Sequence, residues 1–187
     1  MLAQIVELLL GTAANLLALA FLVRVWMQWV RAPFRNPVGQ FVAAVTDWAV
    51  LPLRRLIPGL FGLDLASVFA AWFAQIAYAG VMAGLTGMAG LTPLAAAAVA
   101  WLAFLNVLKM FVYLLMGVVI MTALLSWINP YAPVAPLFDQ MARPLLAPIR
   151  RLLPALGGVD LSPLVALVLC EVALVVLTYL QPLLWLR

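Results

Sequence analysis

Two side chains interrupt runs that are otherwise apolar. Glu171 stands in the middle of Leu164–Leu177, and Gln75 occupies the same place 96 residues earlier. A carboxylate in hydrocarbon costs roughly 3 kcal/mol or more and is by default a functional-site hypothesis. Two chemistries fit it. Glu171 is a proton or cation site, or it is a neutral acid hydrogen-bonded to Gln75 or Asn15. Lys109 is a second charge inside an apolar stretch. It either snorkels to the far interface, meets Glu7, or pairs with Glu171 across about 10 Å of depth.

A second set of polar residues comes in matched copies. Arg54-Arg55 and Arg150-Arg151 each lie between prolines, and Asp64 and Asp160 follow at equal distances. Arginines at a membrane surface attract anionic headgroups, worth about 1 kcal/mol each, or dock an acidic protein partner. Asp64 and Asp160 fall at helix starts, where a carboxylate can cap free backbone N–H groups; a functional role is the alternative.

Other chemistries lack their residues. With no histidine and one cysteine, Cys170, the chain cannot supply a His/Cys metal cluster or an internal disulfide. Nothing matches a nucleophile elbow, a P-loop, a paired-carboxylate site or a haem ligand set, so neither an enzyme nor a cofactor is expected. The net charge of +4 is not arranged as basic runs interleaved with aromatics, so no nucleic-acid partner is expected.

The elements that hold these residues follow from composition. Of 187 residues, 68 % are hydrophobic and 9 % charged, against roughly 45–50 % and about 25 % in soluble domains. Mean hydropathy is +1.21. Such a chain is an all-α integral membrane protein. Spans are expected at about 2–30, 65–85, 107–128 and 161–186. The first has no basic leader region and no good cleavage site, so it reads as a span and not a signal peptide. Thr92-Pro93 marks a helix start after a turn at 86–92, with an alanine-rich extension that bends or lies at the interface before span three.

The connectors, 31–64 and 129–160, are rich in proline and arginine yet mostly apolar. Val38, Phe41, Val45 and Trp48 recur at near-helical spacing, as do Leu137, Phe138, Met141 and Leu145. Short amphipathic helices at the headgroup level are expected, with loops folded on the bundle as the alternative. Span two also carries Ala70, Ala74, Ala77 and the Gly80/Gly84 pair, which suit a homo-oligomer seam or ordinary close packing within one chain.

The chain is duplicated. Pro52-Leu-Arg-Arg-Leu-Ile-Pro58 returns as Pro148-Ile-Arg-Arg-Leu-Leu-Pro154, and Gly62-Leu-Asp-Leu65 as Gly158-Val-Asp-Leu161, both shifted by 96. The repeats are expected at 1–90 and 91–187. Each crosses twice, so the two are parallel. Eight of the ten basic residues lie in or beside the connectors. The positive-inside rule makes that side cytoplasmic and puts both termini opposite.

The Pro-x-Arg-Arg-x-x-Pro string, Gly157-Gly-Val-Asp-Leu-Ser-Pro163, and the lead-ins Leu124–Pro130 and Arg24–Trp29 resemble the YggT family of small membrane proteins. The likeness covers both halves, although Ala66-Ser67 stands where the second half has Ser162-Pro163. It implies a bacterial inner-membrane location and links to osmotic and potassium tolerance or to the neighbourhood of division genes. For chloroplast relatives it implies nucleoid distribution and cytochrome assembly. It brings no catalytic residues.

Two functions fit. One is a non-enzymatic organiser of membrane complexes that uses the arginine connectors. The other is a potassium transport or homeostasis component, working as an oligomer, with Glu171, Gln75 and Asn15 lining a polar path.

Overall fold

The computed structural model describes residues 2–59, 62–85, 92–152 and 160–181. These residues form six helices and no strand: α1 (Leu2–Trp29), α2 (Pro37–Leu56), α3 (Leu65–Leu85), α4 (Pro93–Ile128), α5 (Ala135–Leu152) and α6 (Ser162–Tyr179). Four of them, α1, α3, α4 and α6, are long and apolar enough to cross a membrane. Helices α1–α3 form one repeat and α4–α6 the other, each a span, a connector helix and a span. The turn expected at 86–92 and the end expected for the fourth span fall, at 86–91 and beyond Gln181, outside the described residues.

Local chemistry sets the helix ends. Helix α1 stops where Arg31 takes a left-handed φ of 56°. The Ala32 N–H then donates to Met27 O and the Arg31 N–H to Gln28 O, the paired bonds that close a helix C-terminus. Helix α2 starts at Asn36, whose side chain accepts the Gly39 N–H at 2.8 Å, with Pro37 in the first turn. Helix α4 starts as its sequence suggests, with Thr92 Oγ1 accepting the Ala95 N–H at 3.2 Å.

Span three differs from expectation. It is one unbroken helix of 36 residues, about 54 Å long, with no separate extension. Strong helix formers fill Leu94–Met116, and no proline or glycine interrupts them.

Helix α1 packs antiparallel on α3, with Gly11 opposite Tyr78, Asn15 opposite Gln75 and Arg24 opposite Asp64. In the second repeat α4 packs on α6, and α4 also joins the repeats by packing on α3 and α1. One core gathers Phe21, Leu22, Val50, Ala70 and Val107. The other gathers Trp26, Val119, Leu137, Met141 and Ala166. Ala66 and Ala70 are buried, whereas Gly80 and Gly84 face open space.

Both connectors are helical and lie on the bundle. In α5 the expected stripe is the packed face, with Leu137 and Met141 buried and Phe138 and Leu145 against them. In α2 it is not. Gly39, Val42, Thr46 and Val50 are buried, while Phe41 and Trp48 are about two-thirds exposed. The packed face follows Thr46, which a search for apolar residues alone passes over, because Arg24 comes to meet it.

Candidate functional site

At the connector level, a buried cation organises the first repeat. Arg24, 5 % exposed near the end of α1, donates from Nη1 to Thr46 Oγ1 at 2.6 Å and to Asp47 Oδ1 at 2.5 Å. Its Nε lies 3.8 Å from Asp64 Oδ2, a charge contact and not a hydrogen bond. Asp64 is gripped from the other side by Arg54, with Nη2 to Oδ2 at 2.7 Å and Nε to Oδ1 at 3.3 Å. Ser67 Oγ donates to Asp64 Oδ2 at 2.5 Å. Three elements, α1, α2 and the start of α3, are thereby tied at one point.

The electrostatics follow. Burial pushes the Asp64 carboxyl up, but the hydrogen bonds from Arg54 and Ser67 and the charges of Arg54 and Arg24 outweigh it. The group ends below the ordinary carboxylate range. Its hydrogen bond to Asp64 raises Arg54 above the ordinary arginine value, against the opposing effect of burial.

The expected cap at Asp64 is therefore replaced. Its carboxylate serves arginines and a hydroxyl, because two guanidinium groups attract it more strongly than one amide does. At Asp160, Oδ1 accepts the Ser162 N–H at 2.9 Å, and Oδ2 takes Arg150 at 2.8 Å. Burial raises this carboxyl too, yet Ser162 and Arg150 hold it below the usual range. Arg54 and Arg150 thus each bind an aspartate of their own repeat, ten residues on. Arg55 and Arg151 are exposed, and neither meets a carboxylate among the described residues. A lead-in match two residues longer than the main repeat puts Thr122 where the first half has Arg24. Thr122 is buried and donates to Val118 O and Phe138 O.

The second constellation lies within the spans. Gln75, 4 % exposed, donates from Nε2 to Asn15 Oδ1 at 2.9 Å and approaches Met110 Sδ at 3.5 Å. Around this pair runs a groove of about 580 Å³ lined by Thr12, Asn15, Gln75, Asn106, Lys109 and Tyr113. Glu171 does not join them. It is exposed on α6, in an apolar furrow of about 530 Å³ shared with Met116 and Ile120 of α4. Helix α4 of the second repeat packs on the α3 flank that carries Gln75, whereas Glu171 stays exposed.

Lys109 forms no ion pair among the described residues, with Glu7 or with Glu171. It nevertheless shares a flank of α4 with the Glu171 furrow. Lys109 and Met116 are seven residues apart, nearly two turns, so they stack on one face about 10 Å apart. No His/Cys/Asp/Glu group able to hold a metal occurs among the described residues. The role of Arg24 was missed in the sequence. The signal for Arg54 and Arg150 was their repeated ten-residue distance to an aspartate.

Comparison with known proteins fits this duplicated architecture. The CCB3/YggT family matches twice, over residues 3–85 and 101–181. An Escherichia coli K12 protein described as uncharacterised YggT is 36 % identical over 165 residues, 88 % of this chain and 84 % of its own length. An uncharacterised Pseudomonas aeruginosa protein is 38 % identical over 160 residues, covering 84 % of this chain and 80 % of its own. One from Vibrio alginolyticus, described by its place in the proC 3′ region, is 34 % identical and covers 84 % of each. No solved structure matches. With both repeats matched and the relatives covered over most of their length, the chain belongs to the CCB3/YggT family of membrane proteins.

Proposed function

We propose that this protein is a non-enzymatic organiser of membrane complexes in the bacterial inner membrane, acting through its connector face. The connectors are cytoplasmic, and the termini lie on the other side, as the concentration of arginines favours. The observation that carries this reading is the pose of the connectors. Helices α2 and α5 pack on the spans while Arg31, Arg35, Arg55, Arg143 and Arg151 remain exposed. That surface adheres to anionic headgroups and presents a fixed basic face to an acidic segment of a neighbouring protein. The transport reading loses its path within one chain, since Glu171 stands apart from Gln75 and Asn15. The family's link to osmotic tolerance fits an organiser, because a badly assembled envelope fails under osmotic stress.

The test replaces Arg55, Arg143 and Arg151 with glutamine, leaving both arginine–aspartate pairs in place. With membrane levels unchanged, the variant is expected to lose neighbours in proximity labelling from the connector and to survive an osmotic upshift less well. An unchanged neighbour profile and phenotype overturns the reading. So does potassium flux through the purified protein in liposomes that Glu171→Gln abolishes.

A further inference from the structure

The flank bordered by α1, α4 and α6 carries two ionisable side chains, Lys109 and Glu171. Lys109 lies in the groove with Thr12, Asn15 and Asn106, and Glu171 in the apolar furrow beside Met116 and Ile120. Neither forms an ion pair among the described residues. Charges inside a bilayer ordinarily pair with one another or face a bundle interior. Here both border the exposed ridge of α4 marked by Tyr113 and Ile120, 58 % and 42 % exposed. Their order along the membrane normal is fixed. Glu171 shares its furrow with Met116 and Ile120, and both lie nearer the connector end of α4 than Lys109, Met116 by nearly two turns.

That order selects the occupant. Two copies related by an axis along the membrane normal keep every residue at its own depth. Face to face, Lys109 would lie at a different depth from the other copy's Glu171. A second copy therefore leaves both groups unmatched. A helix of opposite pattern satisfies them. We propose that this flank docks one transmembrane helix of another protein, with an acidic residue level with Lys109 and a basic residue about two turns nearer the connectors, level with Glu171. Asn15, Asn106 and Tyr113 add hydrogen-bonding groups on the Lys109 side, and the furrow walls Val168 and Val172 supply apolar packing on the Glu171 side. This surface is separate from the exposed connector arginines, so it stands or falls independently of them.

The test uses the full chain in liposomes with three designed single-span leucine-alanine helices of fixed orientation. One carries Asp and Lys seven residues apart in the matching order, one has them reversed, and one has neither. Binding is read by fluorescence transfer between labelled helix and labelled protein. The matched helix is expected to bind at least ten-fold tighter than the other two. The exchange K109E/E171K is expected to invert the preference between the charged helices. Lys109→Gln and Glu171→Gln, which keep size and hydrogen bonding, are expected each to lower the preference several-fold while the purified protein keeps its melting temperature. Equal binding of all three helices, or a preference that the exchange leaves unchanged, overturns the proposal. So does self-association in dilute vesicles that either glutamine variant abolishes.

Discussion

Arg24 holds its guanidinium where water does not reach, between Thr46, Asp47 and Asp64. Removing one member of a buried charge group costs about 3–5 kcal/mol, because its partners keep their desolvation penalty. Arg54 still serves Asp64, so Arg24→Leu is expected near the low end, about 3 kcal/mol, in reversible denaturant unfolding in detergent. Asp64 also makes stability depend on pH. Its carboxyl is held below the unfolded value, so the folded state binds fewer protons. The stabilisation is complete above about pH 4 and is lost as pH falls through the native value. Unfolding midpoints between pH 6 and 3 are expected to drop steeply in the parent and more shallowly in Asp64→Asn. Sequence alone showed Asp64 and Arg54 as a repeated pair. It did not show their union, because the third member lies forty residues away on α1.

Helix α2 depends on close approach at one position. A Cβ on Gly39 would sit 2.6 Å from Phe34 Cα, which is backbone and cannot rotate away. Gly39→Ala is expected to destabilise by about 1–3 kcal/mol, as overpacking does, measured by thermal melting in detergent. The faces of the two connectors make a paired comparison. Leu146 of α5 is 1 % exposed and Phe41 of α2 is 65 % exposed. Leu146→Ala is expected to cost about 2–5 kcal/mol. Phe41→Ala is expected to cost under about 0.5 kcal/mol in detergent, since most of its side chain is exposed. The existence of both helices was legible from apolar spacing. The face of α2 was not, because a buried threonine and a glycine mark it, and neither counts as apolar.

For the molecule as a whole, four spans and a parallel duplication were written in hydropathy and in the shift of 96 residues. Arrangement was not. That Gln75 and Glu171, equivalent by sequence, occupy a covered and an uncovered surface depends on α4 packing across the first repeat. Duplication fixes what each half contains but leaves open which face of each half the other covers.

One difference between the halves has a mechanical outcome. The first junction between connector and span is bolted by a buried guanidinium. The second has Thr122 at that place and an exposed Arg150–Asp160 bridge whose side chains are 54 % and 40 % accessible. Exposed bridges contribute about 0–1 kcal/mol, so the twin halves are unequally stiff, one a fixed mount and the other a compliant arm. Backbone amides at 161–165 are expected to exchange deuterium faster than those at 65–69, and Arg24→Leu is expected to bring the two closer together.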